Sequence, residues 1–147
     1  MLRIVIILFV LSFETNIFAQ DNYFLTLRYN EVNLRQGPSK EYPVKIFYKK
    51  KFLPVLVQDQ SDNYRKIKDH ENNTGWVHIS QLSKKKAAIV VNEESLMFKN
   101  PTIYSTPLVI LKKGRLIRIV KCKGIWCKAM SGDYKGWLKK ENLWGRF

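Results

Sequence analysis

Gly75-Trp76-Val77-His78-Ile79-Ser80-Gln81-Leu82 and Gly136-Trp137-Leu138-Lys139-Lys140-Glu141-Asn142-Leu143 follow one pattern: Gly-Trp-aliphatic, four mostly polar residues, then leucine. The echo continues upstream. Leu34-Arg35-Gln36-Gly37-Pro38-Ser39 matches Met97-Phe98-Lys99-Asn100-Pro101-Thr102, and the basic turn Lys49-Lys50-Lys51 matches Lys112-Lys113-Gly114. Tyr64-Arg65-Lys66-Ile67 aligns with Trp126-Cys127-Lys128-Ala129. A period of roughly sixty residues, closed each time by Gly-Trp, implies two copies of one small domain.

Within each copy the apolar residues come in short β-branched or aromatic runs bounded by turn signals. The first copy offers Tyr23 to Leu27, Val32 to Leu34, Val44 to Tyr48, Leu53 to Val57, Tyr64 to Ile67 and Trp76 to Ile79. Ala87 to Val91, Leu96 to Phe98, Leu108 to Leu111, Leu116 to Val120, Trp126 to Met130 and Trp137 to Leu138 answer them in the second. Closely spaced short strands of this kind predict an all-β barrel or sandwich. No segment after residue 19 keeps a long helical period, and at most one helical turn is expected before Leu82 and again before Leu143.

The chain divides into a leader over 1–19, a first unit over 20–83 and a second over 84–147. Arg3, the apolar run Ile4 to Leu11 and the small Ala19 read as a secretory signal peptide cut after Ala19, with an uncleaved anchor as the alternative, and the run is shorter than the ~20 residues a membrane span needs. An exported, periplasmic protein is expected. Ser83-Lys84-Lys85-Lys86 forms a short charged linker, so the two units should be close neighbours with limited reorientation. A domain of this size buries only about 60% of its unfolded surface, and contact between the units would offset that weakness. The aromatic tail Leu143-Trp144-Gly145-Arg146-Phe147 can supply part of that contact or close its own barrel.

Formal net charge is +14, and removing the leader takes away one Arg and one Glu, leaving it unchanged. Such a charge attracts anionic surfaces non-specifically, or reflects a compositional bias toward solvated lysine. Export argues against nucleic acid as a partner. Cys122 and Cys127 flank Lys123-Gly124-Ile125-Trp126, which reads as a hairpin turn, and an oxidising compartment favours a bridge between them over two free core thiols.

Val32-Asn33-Leu34-Arg35-Gln36-Gly37-Pro38-Ser39, Tyr42-Pro43, Tyr64 to Ile67 and Gly75 to His78 in the first unit together resemble the tandem bacterial Src-homology-3-like domains of exported proteobacterial proteins. Cys122 to Cys127 and the terminal Leu143-Trp144-Gly145 extend the resemblance over the second unit. It implies two small β-barrels, of about five or six strands each, without a catalytic centre, that bind cell-wall material, peptides or protein partners. Met97-Phe98-Lys99-Asn100-Pro101 departs from the Asn-x-Arg-x-Gly-Pro type of run, which makes the first unit the better binding candidate. There Arg35 offers a planar guanidinium to a carboxylate or phosphate, with bracing of its own loop as the alternative. Asn33, Tyr42 and Tyr64 would complete a polar and aromatic groove, and Trp76 is either a half-buried support or a stacking surface.

Catalysis is harder to assemble. Thiol chemistry needs a cysteine beside a base, yet His70 and His78 fall in the first unit and both cysteines in the second. Zinc ligation by these residues would need ligands from two domains at poor spacing, so no metal or cofactor is expected. Asp62, Asp69 and Glu71 sit in polar turns and read as solvated carboxylates. The chain is thus expected to be a non-enzymatic binding module for peptidoglycan or peptides in the cell envelope. Its alternatives are an envelope adaptor between proteins, an anionic membrane-surface binder and a cysteine-dependent enzyme.

Overall fold

The computed structural model describes residues 21–147, so the leader and its cleavage site lie outside the described residues. The first unit contains β1 (Tyr23–Leu27), β2 (Val32–Arg35), β3 (Val44–Tyr48), β4 (Pro54–Ser61), β5 (Tyr64–Lys68), β6 (Thr74–His78) and β7 (Leu82–Ser83). The second contains β8 (Ala87–Val90), β9 (Glu94–Phe98), β10 (Pro107–Lys112), β11 (Leu116–Lys123), β12 (Trp126–Ser131), β13 (Tyr134–Lys139) and β14 (Leu143–Arg146). Single 3-10 turns, Ile79–Gln81 and Lys140–Asn142, precede Leu82 and Leu143 as the pattern predicts.

Each unit is one seven-stranded antiparallel sheet, ordered β3-β2-β6-β5-β4-β1-β7 and β10-β9-β13-β12-β11-β8-β14. The strand count exceeds the expected five or six because the chain leaving each 3-10 turn returns to pair with the first strand, Leu27 opposite Leu82 and Val90 opposite Leu143. Period-two alternation sends Val32 and Leu34 inward and leaves Asn33 and Arg35 outside; Val77 points in between Trp76 and His78. Every strand of the first sheet contributes to one buried cluster, from Leu25 and Leu27 through Val32, Val55 and Val77 to Leu82. A single sheet can share one core among all its strands only by curling on itself. The second sheet does the same around Val90, Met97, Ile117 and Leu138.

The repeated Gly-Trp owes its glycine to close packing. A Cβ on Gly75 would stand 2.7 Å from the carbonyl oxygen of Arg35, and one on Gly136 would stand 2.6 Å from that of Phe98. The first half of each motif therefore lets β6 cross β2, and β13 cross β9, at the place where the sheet turns over.

The two barrels share material across their boundary. Ile89, on β8 of the second unit, is buried within the first core, with Leu116 packed against it. Trp144 stands edge-on to Phe24 with ring centroids 4.8 Å apart, and Arg146 donates from Nη1 to the Phe24 carbonyl at 2.7 Å. The tail thus fills both roles expected of it, since β14 also pairs with β8 along its whole length. Polar as it is, the linker is pinned from both sides: the Thr26 hydroxyl donates to Lys85 O at 2.8 Å and Arg146 Nε to Lys84 O at 3.0 Å.

Two local features depart from the sequence reading. Asp69 is buried rather than solvated: its carboxylate accepts from the Tyr48 hydroxyl, the backbone N–H groups of Glu71 and Asn73 and the Asn73 side chain, all at 2.9 Å. It organises the longer β5–β6 loop, which the second barrel replaces by the tight turn Gly132-Asp133. Burial, reinforced by that hydrogen bond, pushes the Tyr48 phenol well above its ordinary range. The second correction concerns register: the residue matching Gly114 is Phe52, not Lys51. Phe52 N donates to Leu27 O at 2.9 Å just as Gly114 N donates to Val90 O at 2.8 Å. Phe52 holds φ at 68°, where a bulky side chain costs about 1–3 kcal/mol.

Candidate ligand groove

On the outer face of the first barrel, β2, β5, β6 and the following 3-10 turn frame a groove of about 270 Å³ lined by Asn33, Arg35, Lys40, Tyr64, His78, Ser80 and Gln81. Cross-strand register explains the convergence. Arg35 stands opposite Trp76 and Tyr64 opposite His78, and partners in register share one face of the sheet. Among the described residues the lining holds Arg35 and Lys40 and no carboxylate.

Local hydrogen bonds set the orientation of these side chains. His78 caps the 3-10 turn: Nδ1 accepts from Ser80 N at 3.1 Å and lies 2.7 Å from Ser80 Oγ. In the neutral ring that acceptor role leaves the proton on Nε2. The Tyr64 ring, buried at 8% exposure, meets the imidazole edge-on at 5.1 Å and fixes its plane. Gln81 Oε1 accepts from Asn33 N at 3.3 Å, tying the turn to β2. Arg35 Nη1 donates to Tyr42 O at 2.9 Å and Lys40 O at 3.3 Å, so the guanidinium braces its own loop. Those bonds use one nitrogen, and Nε and Nη2 make no hydrogen bond to the described residues. Bracing and binding are compatible.

Of the residues singled out in the sequence, Asn33, Arg35 and Tyr64 line the groove. Tyr42 does not. Its ring lies against Gly37, where an added Cβ would collide with it, and its carbonyl serves Arg35. Trp76 is half-buried beside Arg35 and Lys66, adjacent to the groove and outside its lining. Lys40, His78, Ser80 and Gln81 also line it, beyond what the sequence indicates. The one signal for His78 is its position two residues beyond Trp76, which puts it on the same strand face.

The corresponding face of the second barrel has another character. Phe98 takes the place of Arg35 opposite Trp137, and Trp126 takes that of Tyr64. Phe98 and Trp126 meet edge-on at 5.8 Å, and Lys121 and Lys128 lie 5.9 Å from the Trp137 ring. Cys122 and Cys127 form a disulfide across the β11–β12 hairpin, with Cα atoms 4.0 Å apart. They face each other directly in register, and the turn itself is only Gly124-Ile125. Among the described residues, no cluster of three or more His, Cys, Asp or Glu could hold a metal ion.

The family model for the bacterial SH3 domain matches residues 28–84 and again 91–145, one match to each sheet. The chain belongs to the bacterial SH3 domain family. In this tandem bacterial SH3 protein the first matched stretch runs into the pinned linker at Lys84 and the second begins beyond it, at Val91. No curated protein matches the chain. Among solved structures it is similar to NlpC2 from Trichomonas vaginalis, at 12% identity and a TM-score of 0.39 over 86% of this chain and 49% of that one. NlpC1 from the same organism matches at 12% and 0.38, over 84% and 46%. An NlpC/P60 family protein from Bacillus cereus ATCC 10987 matches at 12% and 0.39, over 83% and 56%. The SH3 pair thus spans about half the length of each of these structures.

Proposed function

We propose that this protein is an exported, non-enzymatic binding module of the cell envelope, whose first barrel engages peptidoglycan or short peptides through their carboxylates. The observation that carries the reading is the groove itself: Arg35 and Lys40 beside the hydrogen-bonding groups of Asn33, His78, Ser80 and Gln81, with no acid in the lining. A guanidinium already braced at Nη1 is held in place for a carboxylate at its free nitrogens, so less side-chain freedom is lost on binding. Membership of a family of binding domains and the engagement of both sulfurs in a disulfide support a role without thiol catalysis. Net positive charge adds general attraction to anionic wall polymers, screened over about 8 Å at physiological salt.

Co-sedimentation with purified peptidoglycan sacculi tests this reading. Wild type is expected to stay bound at physiological salt, and folded Arg35→Ala and His78→Ala variants to be released. Binding that disappears with salt alone, or that survives both substitutions, would remove the groove from the account. A second reading, an adaptor between envelope proteins, draws on the apolar side chains of the second barrel, among them Leu96 at 43% and Ile110 at 51% exposure. Salt-resistant co-purification of one envelope protein, lost on Leu96→Ser, would favour it.

A further inference from the structure

A larger cavity, of about 740 Å³, opens on the first barrel beside the linker. Its apolar surface comes from Leu25, Ile79, Leu82 and the rings of Tyr23 and Phe52. Around these stand Arg28, Lys51, Arg65, Lys84 and Lys85, with no carboxylate among the described lining residues. It shares no residue with the groove, because strand alternation turns Arg65 toward the cavity and Tyr64 toward the groove.

None of these cations forms an ion pair with a described residue. The ion pairs among the described residues join Lys49 to Glu31, Lys112 to Glu94 and Lys113 to Glu93, while His70 Nε2 lies 3.6 Å from Glu71 Oε1. Like charges gathered around a concave apolar wall repel one another and focus a positive potential into it. Arg28 is locked in place by Nε and Nη2, which donate to Leu82 O at 3.0 and 2.8 Å. The second barrel adds a further cation nearby, since Arg118 Cζ lies 4.3 Å from the centre of the Phe52 ring and Lys51 Nζ lies 5.0 Å from it.

Phe52 is the decisive residue. The turn it occupies requires a positive φ, 68° here, and the second barrel meets the same requirement with Gly114 at 83°. A glycine would serve the turn without strain, whereas phenylalanine tolerates strain and places an aromatic ring on the cavity wall. An aromatic surface ringed by cations that pair with no described acid is complementary to a ligand that is both acidic and apolar. We infer that this cavity is a second binding site, for a short acidic peptide carrying a bulky apolar side chain. That side chain packs on Tyr23 and Phe52, and the carboxylates of the peptide meet Lys51, Arg65, Lys84 and Lys85. The cations stand around a curved apolar wall of mixed chain segments rather than across one flat face, an arrangement that matches the spaced carboxylates of a peptide better than a plane of lipid headgroups.

The test is isothermal titration of the purified protein, at physiological salt, with acetyl-Glu-Asp-Phe-Asp-Glu amide. Its Gln/Asn counterpart and a version with Gly for Phe serve as comparators. Saturable binding of the acidic aromatic peptide is expected, weakened about tenfold or more with either comparator and with Phe52→Gly or a Lys84→Gln/Lys85→Gln protein. Phe52→Gly should retain its far-ultraviolet spectrum and cooperative melting, because Gly114 already occupies the equivalent turn. Arg35→Ala should bind the peptide as wild type does, which separates this site from the groove. Absence of binding, equal binding of the neutral peptide or undiminished binding by folded Phe52→Gly would overturn the inference. Retention on phosphatidylglycerol vesicles that Phe52→Gly abolishes, without peptide binding, would overturn it in favour of a membrane site.

Discussion

Where β2 meets β6 in the first barrel, Arg35 stands opposite Trp76; where β9 meets β13 in the second, Phe98 stands opposite Trp137. The backbones are equivalent there, and each glycine before the tryptophan is needed for the same close crossing. The side chains beyond that crossing are not. Arg35 is bound to loop carbonyls and opens into a polar groove, whereas Phe98 and Trp137, each 8% exposed, close over the same face beside Trp126. Scaffold residues thus recur in both copies. The chemistry around them is divided, with polar hydrogen-bonding groups in one barrel and apolar packing plus a covalent clip in the other.

The sharpest challenge to treating the barrels as separable units is Ile89, which belongs to the second sheet and is buried in the first core. Ile89→Ala should lower the urea unfolding free energy by about 2–5 kcal/mol while leaving one cooperative transition for both barrels. Two resolved transitions, only the later repeat shifted, would show that the barrels fold independently.

The disulfide exists only in the second barrel; the first places Gln60 opposite Arg65 on the equivalent rung. Because the loop it closes spans only five positions in sequence, the expected gain is modest. Replacing both cysteines by serine should reduce stability by about 2 kcal/mol, read from denaturation with and without reductant. A reductant-insensitive wild type would remove the clip from the comparison.

The smallest expected effect belongs to the first barrel's own device, the buried Tyr48–Asp69 pair. A phenol whose folded pKa is raised keeps its proton longer in the native state, so its contribution is complete below the ordinary value of 10.0 and declines as pH rises above it. Stability of wild type should therefore fall more steeply between about pH 10 and 11 than that of Tyr48→Phe, which gives up about 1.5 kcal/mol of hydrogen bonding to the carboxylate at neutral pH. Parallel curves for the two proteins would contradict that role.

Much of this architecture is legible in the sequence. The Gly-Trp echo, the two-residue periodicity of Val32-Asn33-Leu34-Arg35 and the hairpin spacing of Cys122 and Cys127 report local rules, and local rules fix strands and turns. What depends on register across the sheet is not legible. Gln81 and Ser80 enter the groove because a 3-10 turn folds back over β2, and Lys40 because its loop is held by Arg35. Asp69 reads as a solvated turn residue until Tyr48, twenty-one positions earlier, is placed over it. Phe52 lies one position beyond the residue that the sequence pattern pairs with Gly114, and only its backbone bond to Leu27 reveals that it occupies a glycine's conformation. The tail shows the same limit: its aromatic residues announce packing, and only the structure decides that Trp144 packs on the other barrel.

The central claim is that recognition resides in the first barrel's groove and not on the matching face of the second. Two-dimensional amide NMR of the labelled protein, titrated with soluble muropeptides at physiological salt, addresses it residue by residue. The account predicts saturable shifts at Asn33, Arg35, His78, Ser80 and Gln81, with Leu96, Phe98 and Trp126 unmoved. Shifts confined to Leu96, Phe98 and Trp126, or small salt-sensitive shifts spread over the lysines of both barrels, would contradict it.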